Sequence, residues 1–295
     1  MGRRRALTGG GLALFAGLVG AAAWSRGLFL SRDWLFAWLL LGLLALSLAD
    51  VKRWLHGLVF DWLPFMGLLL LYDLSRPVSQ WLGTSTHFAP QLEADRLLFG
   101  GSVPSVALQD ALHVPGRVEW FDYAAWGVYV THFFATLLIA GLLWRYAHPQ
   151  FRRFRAMVLS LATAGFVTYV LFPAAPPWLA SVRGELEPTA RVIAEMWGHV
   201  GIQPAVALFE NRGEFYNEVA AVPSLHAAYP VLFLLFFWGA GRWARLGLGL
   251  YALAMGLALV YTSEHYVSDV LAGWVYAAAC FAGVSAAIRA RAAPR

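Results

Sequence analysis

The chain has 295 residues, 60% of them hydrophobic and 13% charged, with a mean hydropathy of +0.60. Such a chain is solvated mostly by hydrocarbon, which excludes an ordinary soluble domain and describes a polytopic, all-α membrane protein. A net charge of +5 is spread as scattered arginines rather than gathered on one polar module, which excludes a nucleic-acid binder, and the lone Cys280 excludes both an intramolecular disulfide and a cysteine metal site.

Apolar stretches of roughly 17 to 25 residues mark spanning helices, and eight segments qualify, near residues 7–25, 34–49, 57–74, 121–144, 156–173, 222–240, 246–263 and 266–288. Residues 1–23 have the layout of a secretory signal, with Arg3 to Arg5, an apolar run and Ala21-Ala22-Ala23. The spans that follow favour an uncleaved first helix. Several Trp, among them Trp24, Trp54, Trp62, Trp144, Trp178 and Trp243, fall near the ends of apolar runs, where amphipathic rings settle at the headgroup level. Residues 1–56 read as two accessory spans and 57–295 as a six-span catalytic bundle with long loops at 75–120 and 174–221. In the first loop Gln91 to Phe99, followed by Gly100-Gly101, predicts a short interfacial helix closed by glycine. The second opens at Phe172-Pro173-Ala174-Ala175-Pro176-Pro177-Trp178, where three prolines end the fifth span.

With the N-terminus inside, cytoplasmic segments receive Arg3, Arg4, Arg5, Lys52, Arg53, Arg145, Arg152, Arg153, Arg155, Arg242, Arg245, Arg289, Arg291 and Arg295, fourteen of the 22 basic residues. The positive-inside rule is met, both termini fall in the cytoplasm, and both long loops fall outside. Nearly all acids lie outside too, except Asp50 and Asp61.

Two short segments beside apolar runs carry the chemistry: Pro223-Ser224-Leu225-His226 and Glu264-His265-Tyr266-Val267-Ser268-Asp269. An imidazole beside lipid is costly, and the topology brings both to one leaflet boundary. Residues 265 and 269 are four apart, which puts the Asp269 carboxylate one helical turn from the His265 ring. A bond to one ring nitrogen selects the tautomer that leaves the other free to attack phosphorus, making His265 the nucleophile candidate. His226 is placed to protonate a departing oxygen and later to take a proton from an incoming hydroxyl. Ser224 read alone is a helix N-cap; with the first-turn N–H groups it also offers donors to phosphate oxygens.

These residues resemble the type 2 phosphatidic acid phosphatase superfamily, whose second motif reads Pro-Ser-Gly-His and whose third ends in His, three residues, Asp. Leu225 replaces the Gly. That replacement, the His265-Tyr266 pair and the run Asn217-Glu218-Val219-Ala220-Ala221-Val222 look more like the branch of inositol phosphorylceramide synthases and bacterial inositol phosphotransferase-like proteins, from the third span to the C-terminus. The resemblance implies a metal-independent, cofactor-free double displacement in which His265 forms a phosphohistidine, Asp269 orients it and His226 acts as acid and base. It implies a phospholipid donor and a lipid or polyol acceptor in a bacterial cytoplasmic membrane, with the site on the outer face. The chain departs from the pattern twice. Ala258-Leu259 stand where the third motif opens with Ser-Arg, and Leu69 stands where the first motif's Lys would precede Arg76-Pro77.

Phosphate still needs cationic or multiple N–H partners, so Arg76 is the first candidate to supply them, followed by Arg96 and Arg212. Asn217, Tyr261, Tyr266 and His132 are further candidates for headgroup binding or support of the histidines. Asp73 and Glu264 are candidates to pair with arginines, with Glu264 expected to face water. Hydrolysis is the same reaction with water as acceptor, so a lipid phosphate or polyprenyl diphosphate phosphatase is the nearest alternative. A transporter or lipid-binding scaffold would distribute its polar residues through the bilayer, whereas here they gather at one boundary.

Overall fold

A computed structural model describes residues 2–26, 32–71, 78–79, 81–201 and 218–292. Among them the regular elements are helical, and two isolated backbone bridges are the sole extended pairings. The N-terminal helices α1 (Gly2–Arg26) and α2 (Arg32–Ser47) pack on each other. Next comes α3 (Val51–Gly57), which runs through a wide π turn (Leu58–Trp62) into α4 (Leu63–Leu71), so the third helical segment starts before the expected residue 57. Two short helices follow, α5 (Ala89–Leu98) and α6 (Pro104–Leu112), then the long α7 (Trp120–Tyr146) and α8 (His148–Leu171). The second loop carries α9 (Pro177–Val182) and α10 (Val192–Val200), and the chain closes with α11 (Leu225–Phe236), α12 (Arg242–Tyr261) and α13 (Val267–Ala292). Helices α7, α8, α12 and α13 are long and apolar enough to cross a membrane, and the shorter apolar helices fall in the other four expected segments.

The element boundaries have local causes. Helix α5 stops where Gly100 and Gly101 adopt φ of 63° and 93°, the left-handed region that glycine enters without a Cβ penalty. Helix α7 opens on a capping box in which the Glu119 backbone N–H donates to Asp122 Oδ2 at 2.8 Å. The expected sixth span, 222–240, is shorter than its apolar run. Helix α11 has twelve residues, about 18 Å at 1.5 Å per residue, and a 3₁₀ turn over Trp238–Ala240 ends at Gly241 with φ 110°.

Helix α11 is the hub, packing against α7, α8, α12 and α13, with Leu225, Ala227, Ala228, Tyr229, Leu232 and Phe233 all buried. In lipid such contacts are held by close van der Waals packing and small residues rather than by removing apolar surface from water. Phe36 and Leu43 of α2 join the same core as Trp62, Trp144, Phe154 and Leu232, so the N-terminal pair is packed onto the bundle through α7.

The two ends of the bundle differ in charge. At one end lie Arg145, Arg152, Arg153, Arg155, Arg242, Arg245, Arg289 and Arg291, on the last turn of α7, near the start of α8, on the first turn of α12 and on the last of α13. Asp61 is held there inside the π turn. Its Oδ2 accepts from Trp144 Nε1 at 2.9 Å and His148 Nε2 at 2.8 Å, and its Oδ1 from Arg155 at 3.0 Å. At the other end the loop segments converge: Ala174 pairs on one side with His87 and on the other with Ala220, and the His87 ring stacks on Phe172 at 4.2 Å.

Candidate active site

Helix α11 begins at the loop-covered end. Ser224 is its N-cap, with Oγ accepting from the Ala227 N–H at 3.3 Å, and is fully buried. The preceding Pro223 carbonyl accepts from the Tyr169 hydroxyl at 2.5 Å, which ties α8 to the motif. Leu225, in the place of the resembled motif's Gly, lies over Gly165 of α8, where an added Cβ would sit 3.0 Å from its side chain.

His265 sits in the five-residue link between α12 and α13. Its N–H and that of Glu264 both donate to the Leu259 carbonyl, at 3.2 and 3.0 Å, which closes the turn. Ser263 adopts φ 63°, uncommon for a residue with a Cβ and of order 1–3 kcal/mol in cost. Its surroundings hold it there: Ser263 Oγ donates to Thr189 Oγ1 at 2.9 Å, and its carbonyl accepts from the Trp178 N–H at 3.1 Å.

The two motifs are bonded directly. The Ser224 N–H donates to the Asp269 carbonyl at 3.0 Å, and this closeness is permitted by Gly273, where a Cβ would fall 2.3 Å from the Ser224 carbonyl oxygen. The rings of His226 and His265 are thereby 5.7 Å apart, centre to centre. His132, from the middle of α7, stacks on His226 at 3.8 Å, and Tyr129, one turn earlier, stacks on it at 5.0 Å. Asp269 is fully buried; its Oδ2 accepts from the Tyr266 N–H at 2.9 Å and lies 3.5 Å from His265 Nδ1. That is an ion-pair distance, longer than the 2.7–3.2 Å or so of a formed hydrogen bond. The imidazole is thus oriented with Nδ1 toward the carboxylate.

The first turn of α13 is capped from outside. Asp95 of α5, fully buried, accepts from the Val267 and Ser268 N–H groups at 2.9 and 2.8 Å. Gln109 of α6 spans two further segments, donating to the carbonyls of Ala190 at 2.9 Å and Tyr261 at 2.8 Å. Glu264 does not face water as expected. It is 6% exposed and receives a two-pronged contact from Arg191, at 2.8 and 3.2 Å, because a carboxylate enclosed by the loops needs a cation there. The Arg191 guanidinium in turn lies 4.3 Å over the Trp178 ring.

Of the residues singled out from sequence, Ser224, His226, His265, Asp269 and His132 are brought together. Tyr266 is buried separately, in a small core with Leu92, Val103, Ala180 and Leu186. The Tyr261 hydroxyl donates to Asp122 Oδ1 at 2.5 Å, and Arg96 bonds Glu93 at 3.2 Å on the solvent face of α5. Arg76 and Asn217, with Asp73 and Arg212, lie outside the described residues. Sequence reasoning missed Arg191, Asp95 and Gln109, whose partners are 73 to 173 residues away and leave no local spacing signal. Among the described residues no three His, Cys, Asp or Glu side chains are grouped so as to hold a metal ion.

An apolar helical bundle with paired imidazoles and a buried carboxylate at one end is the architecture of a membrane protein equipped for acid–base or nucleophilic chemistry. Residues 107–283 match the family model of the PAP2 superfamily, and the chain belongs to that superfamily. It is similar to the phosphoinositol dihydroceramide synthase of Bacteroides thetaiotaomicron, with 35% identity over 138 residues, 45% of each chain. It is also similar to the inositol phosphorylceramide synthase catalytic subunit of Schizosaccharomyces pombe, 27% identical over 65% of this chain and 45% of that one. The inositol phosphorylceramide synthase of Candida albicans is 24% identical over 73% of this chain and 44% of its own length. The chain thus spans less than half the length of these curated relatives. No solved structure matches it.

Proposed function

We propose that the chain is an integral membrane phosphotransferase that moves a phosphoryl-linked headgroup, of inositol-phosphate type, from a phospholipid to a lipid alcohol of ceramide type. The observation that carries this is the approach of the His226 and His265 rings to 5.7 Å with Asp269 behind His265, in a chain similar to three synthases named for that chemistry. With Nδ1 facing Asp269, His265 Nε2 attacks phosphorus, the bond from phosphorus to the donor's glycerol oxygen breaks, and His226 gives that oxygen its proton. In the second step the acceptor hydroxyl passes its proton to His226, attacks phosphorus, and the phosphorus–nitrogen bond breaks. His132 fixes the plane of the His226 ring, and the Ser224 hydroxyl proton and Arg76 bind phosphate oxygens. No metal takes part in this scheme.

Residues 57–295 form the catalytic unit and 1–56 an accessory pair. Both termini lie in the cytoplasm of a bacterial cell and the histidines at the outer leaflet, a placement supported by the arginine-rich ends of α7, α8, α12 and α13 lying opposite the histidines.

The test is to incubate purified protein, in the presence of a chelator, with headgroup-labelled phosphatidylinositol and a ceramide-type lipid alcohol. A new phosphodiester lipid and label trapped on His265 are the expected result. Free headgroup phosphate without transfer makes the protein a hydrolase, and turnover that survives His265→Ala refutes the scheme.

A further inference from the structure

Helix α12 ends on a residue that its turn does not favour. The Glu264 N–H donates to the Leu259 carbonyl at 3.0 Å and the Ser263 N–H to the Val260 carbonyl at 3.2 Å. With Thr262 as the cap, these are the two bonds of a Schellman motif, whose first residue beyond the cap takes the left-handed conformation. Glycine is the usual occupant there, because it carries no Cβ to clash. Here the occupant is Ser263, with φ 63°, the one positive φ outside glycine among the described residues. Such a break with local preference is expected where a side chain has another task, and His265 stands two residues further on.

The Ser263 side chain is held from outside the turn. Its Oγ donates to Thr189 Oγ1 at 2.9 Å, and Arg191, two residues beyond Thr189, holds the Glu264 carboxylate at 2.8 and 3.2 Å. Thr189, Ala190 and Arg191 form a strap that is itself fixed. The Thr189 N–H donates to Ser181 Oγ of α9 at 2.9 Å, and the Ala190 N–H donates to Gln109 Oε1 at 2.7 Å. Gln109 Nε2 donates back to the Ala190 carbonyl at 2.9 Å and to the Tyr261 carbonyl at 2.8 Å, so one side chain ties the strap to the last residue of α12. Ser263 is 0% and Glu264 6% exposed, which leaves water little access to replace these contacts.

Resting on the assignment of His265 as nucleophile above, we infer that the strap 189–191 sets the stance of His265, and that Thr189 and Arg191 are positioning residues of the transfer reaction. They act through Ser263 and Glu264, the two residues that precede the histidine, and need not touch substrate. A glycine at 263 would make the same turn without strain but would leave Thr189 nothing to hold. The link to α13 would then be free to carry the imidazole through other orientations. Serine gives up some ease of turning in return for a fixed nucleophile.

The test uses purified protein in phosphatidylcholine vesicles with headgroup-labelled phosphatidylinositol, following the rate of labelling of His265, the donor KM and thermal unfolding. Ser263→Gly should melt close to wild type, because the strain it relieves offsets the hydrogen bond it loses. It should nevertheless label His265 about tenfold more slowly at an unchanged donor KM, a partial version of the roughly 10²-fold that a 1 Å displacement costs. Thr189→Val keeps the backbone N–H for Ser181 but removes the oxygen that Ser263 reaches, and should slow labelling by a similar factor; Thr189→Ser should restore it. Hydrogen exchange at the Glu264 and His265 amides, read by mass spectrometry without substrate, should quicken in Thr189→Val. Wild-type labelling rates in both Ser263→Gly and Thr189→Val would overturn the positioning role, as would losses of rate that merely track a lowered melting temperature. A wild-type protein that takes no label on His265, with exchange still quickened in Thr189→Val, would overturn the transfer scheme and leave the strap a structural tie alone.

Discussion

Replacing Gly273 with Ala should separate the two histidines while leaving the fold in place. The new Cβ would lie 2.3 Å from the Ser224 carbonyl oxygen and 3.2 Å from its carbonyl carbon, and because both are backbone atoms no side-chain rotation relieves the clash. Carbon–oxygen contacts settle at roughly 3.3–3.6 Å, so α11 and α13 must part by about 1 Å. The Ser224–Asp269 hydrogen bond, now 3.0 Å, lies on that seam and lengthens with it. Overpacking of this kind costs roughly 1–3 kcal/mol, offset by the ~1 kcal/mol that Ala gains over Gly inside a helix. The net loss of stability is thus at most about 2 kcal/mol, whereas a 1 Å displacement of reacting groups costs about 10²-fold in rate. Gly283→Ala on the same helix meets nothing within 4 Å and serves as the control. Thermal unfolding in detergent and headgroup transfer in vesicles would be measured for both. A Gly273→Ala protein that turns over at the wild-type rate would refute the idea that this contact sets the distance between the histidines.

Arg191→Met should destabilise the protein by about 3–5 kcal/mol, because it strands a buried carboxylate at Glu264, and adding Glu264→Gln should recover most of that loss in a double-mutant cycle of unfolding. Asp95→Ala leaves the Val267 and Ser268 N–H groups without their acceptor. A cost of about 1–3 kcal/mol per group is expected on melting, with Asp95→Asn closer to wild type. Asp269→Asn keeps an oxygen for the Tyr266 N–H but removes the charge facing His265. The phosphoenzyme should then form on the order of 10²-fold more slowly with little change in melting temperature, and an unchanged rate would remove Asp269 from the scheme.

What the sequence makes legible here follows from the range of each physical signal. Hydropathy is summed over whole helices, so the eight apolar segments and the all-α bundle are readable, as is the Gly100-Gly101 stop of α5. The nearness of His226 and His265 is readable too, since helix order and orientation bring their two short segments to one end. Pairings that depend on loop geometry are not. Glu264 looks like a solvated acid beside a histidine until the 174–221 loop folds Arg191 onto it, and Asp95 looks like one loop acid among several until α5 lies across the start of α13. The early ending of α11 is hidden for a different reason, because Phe237 and Trp238 continue the apolar run after the backbone has left the α-helix.

The nesting of Leu225 over Gly165 makes the identity of one motif position hostage to a residue sixty places upstream on another helix. Among chains of this architecture, a bulky residue at the first position should travel with a hydrogen side chain at the second, and a glycine at the first should release the second to grow. Transplanting the four-residue signature into a scaffold that lacks this recess would bring the histidine along and lose its bearing.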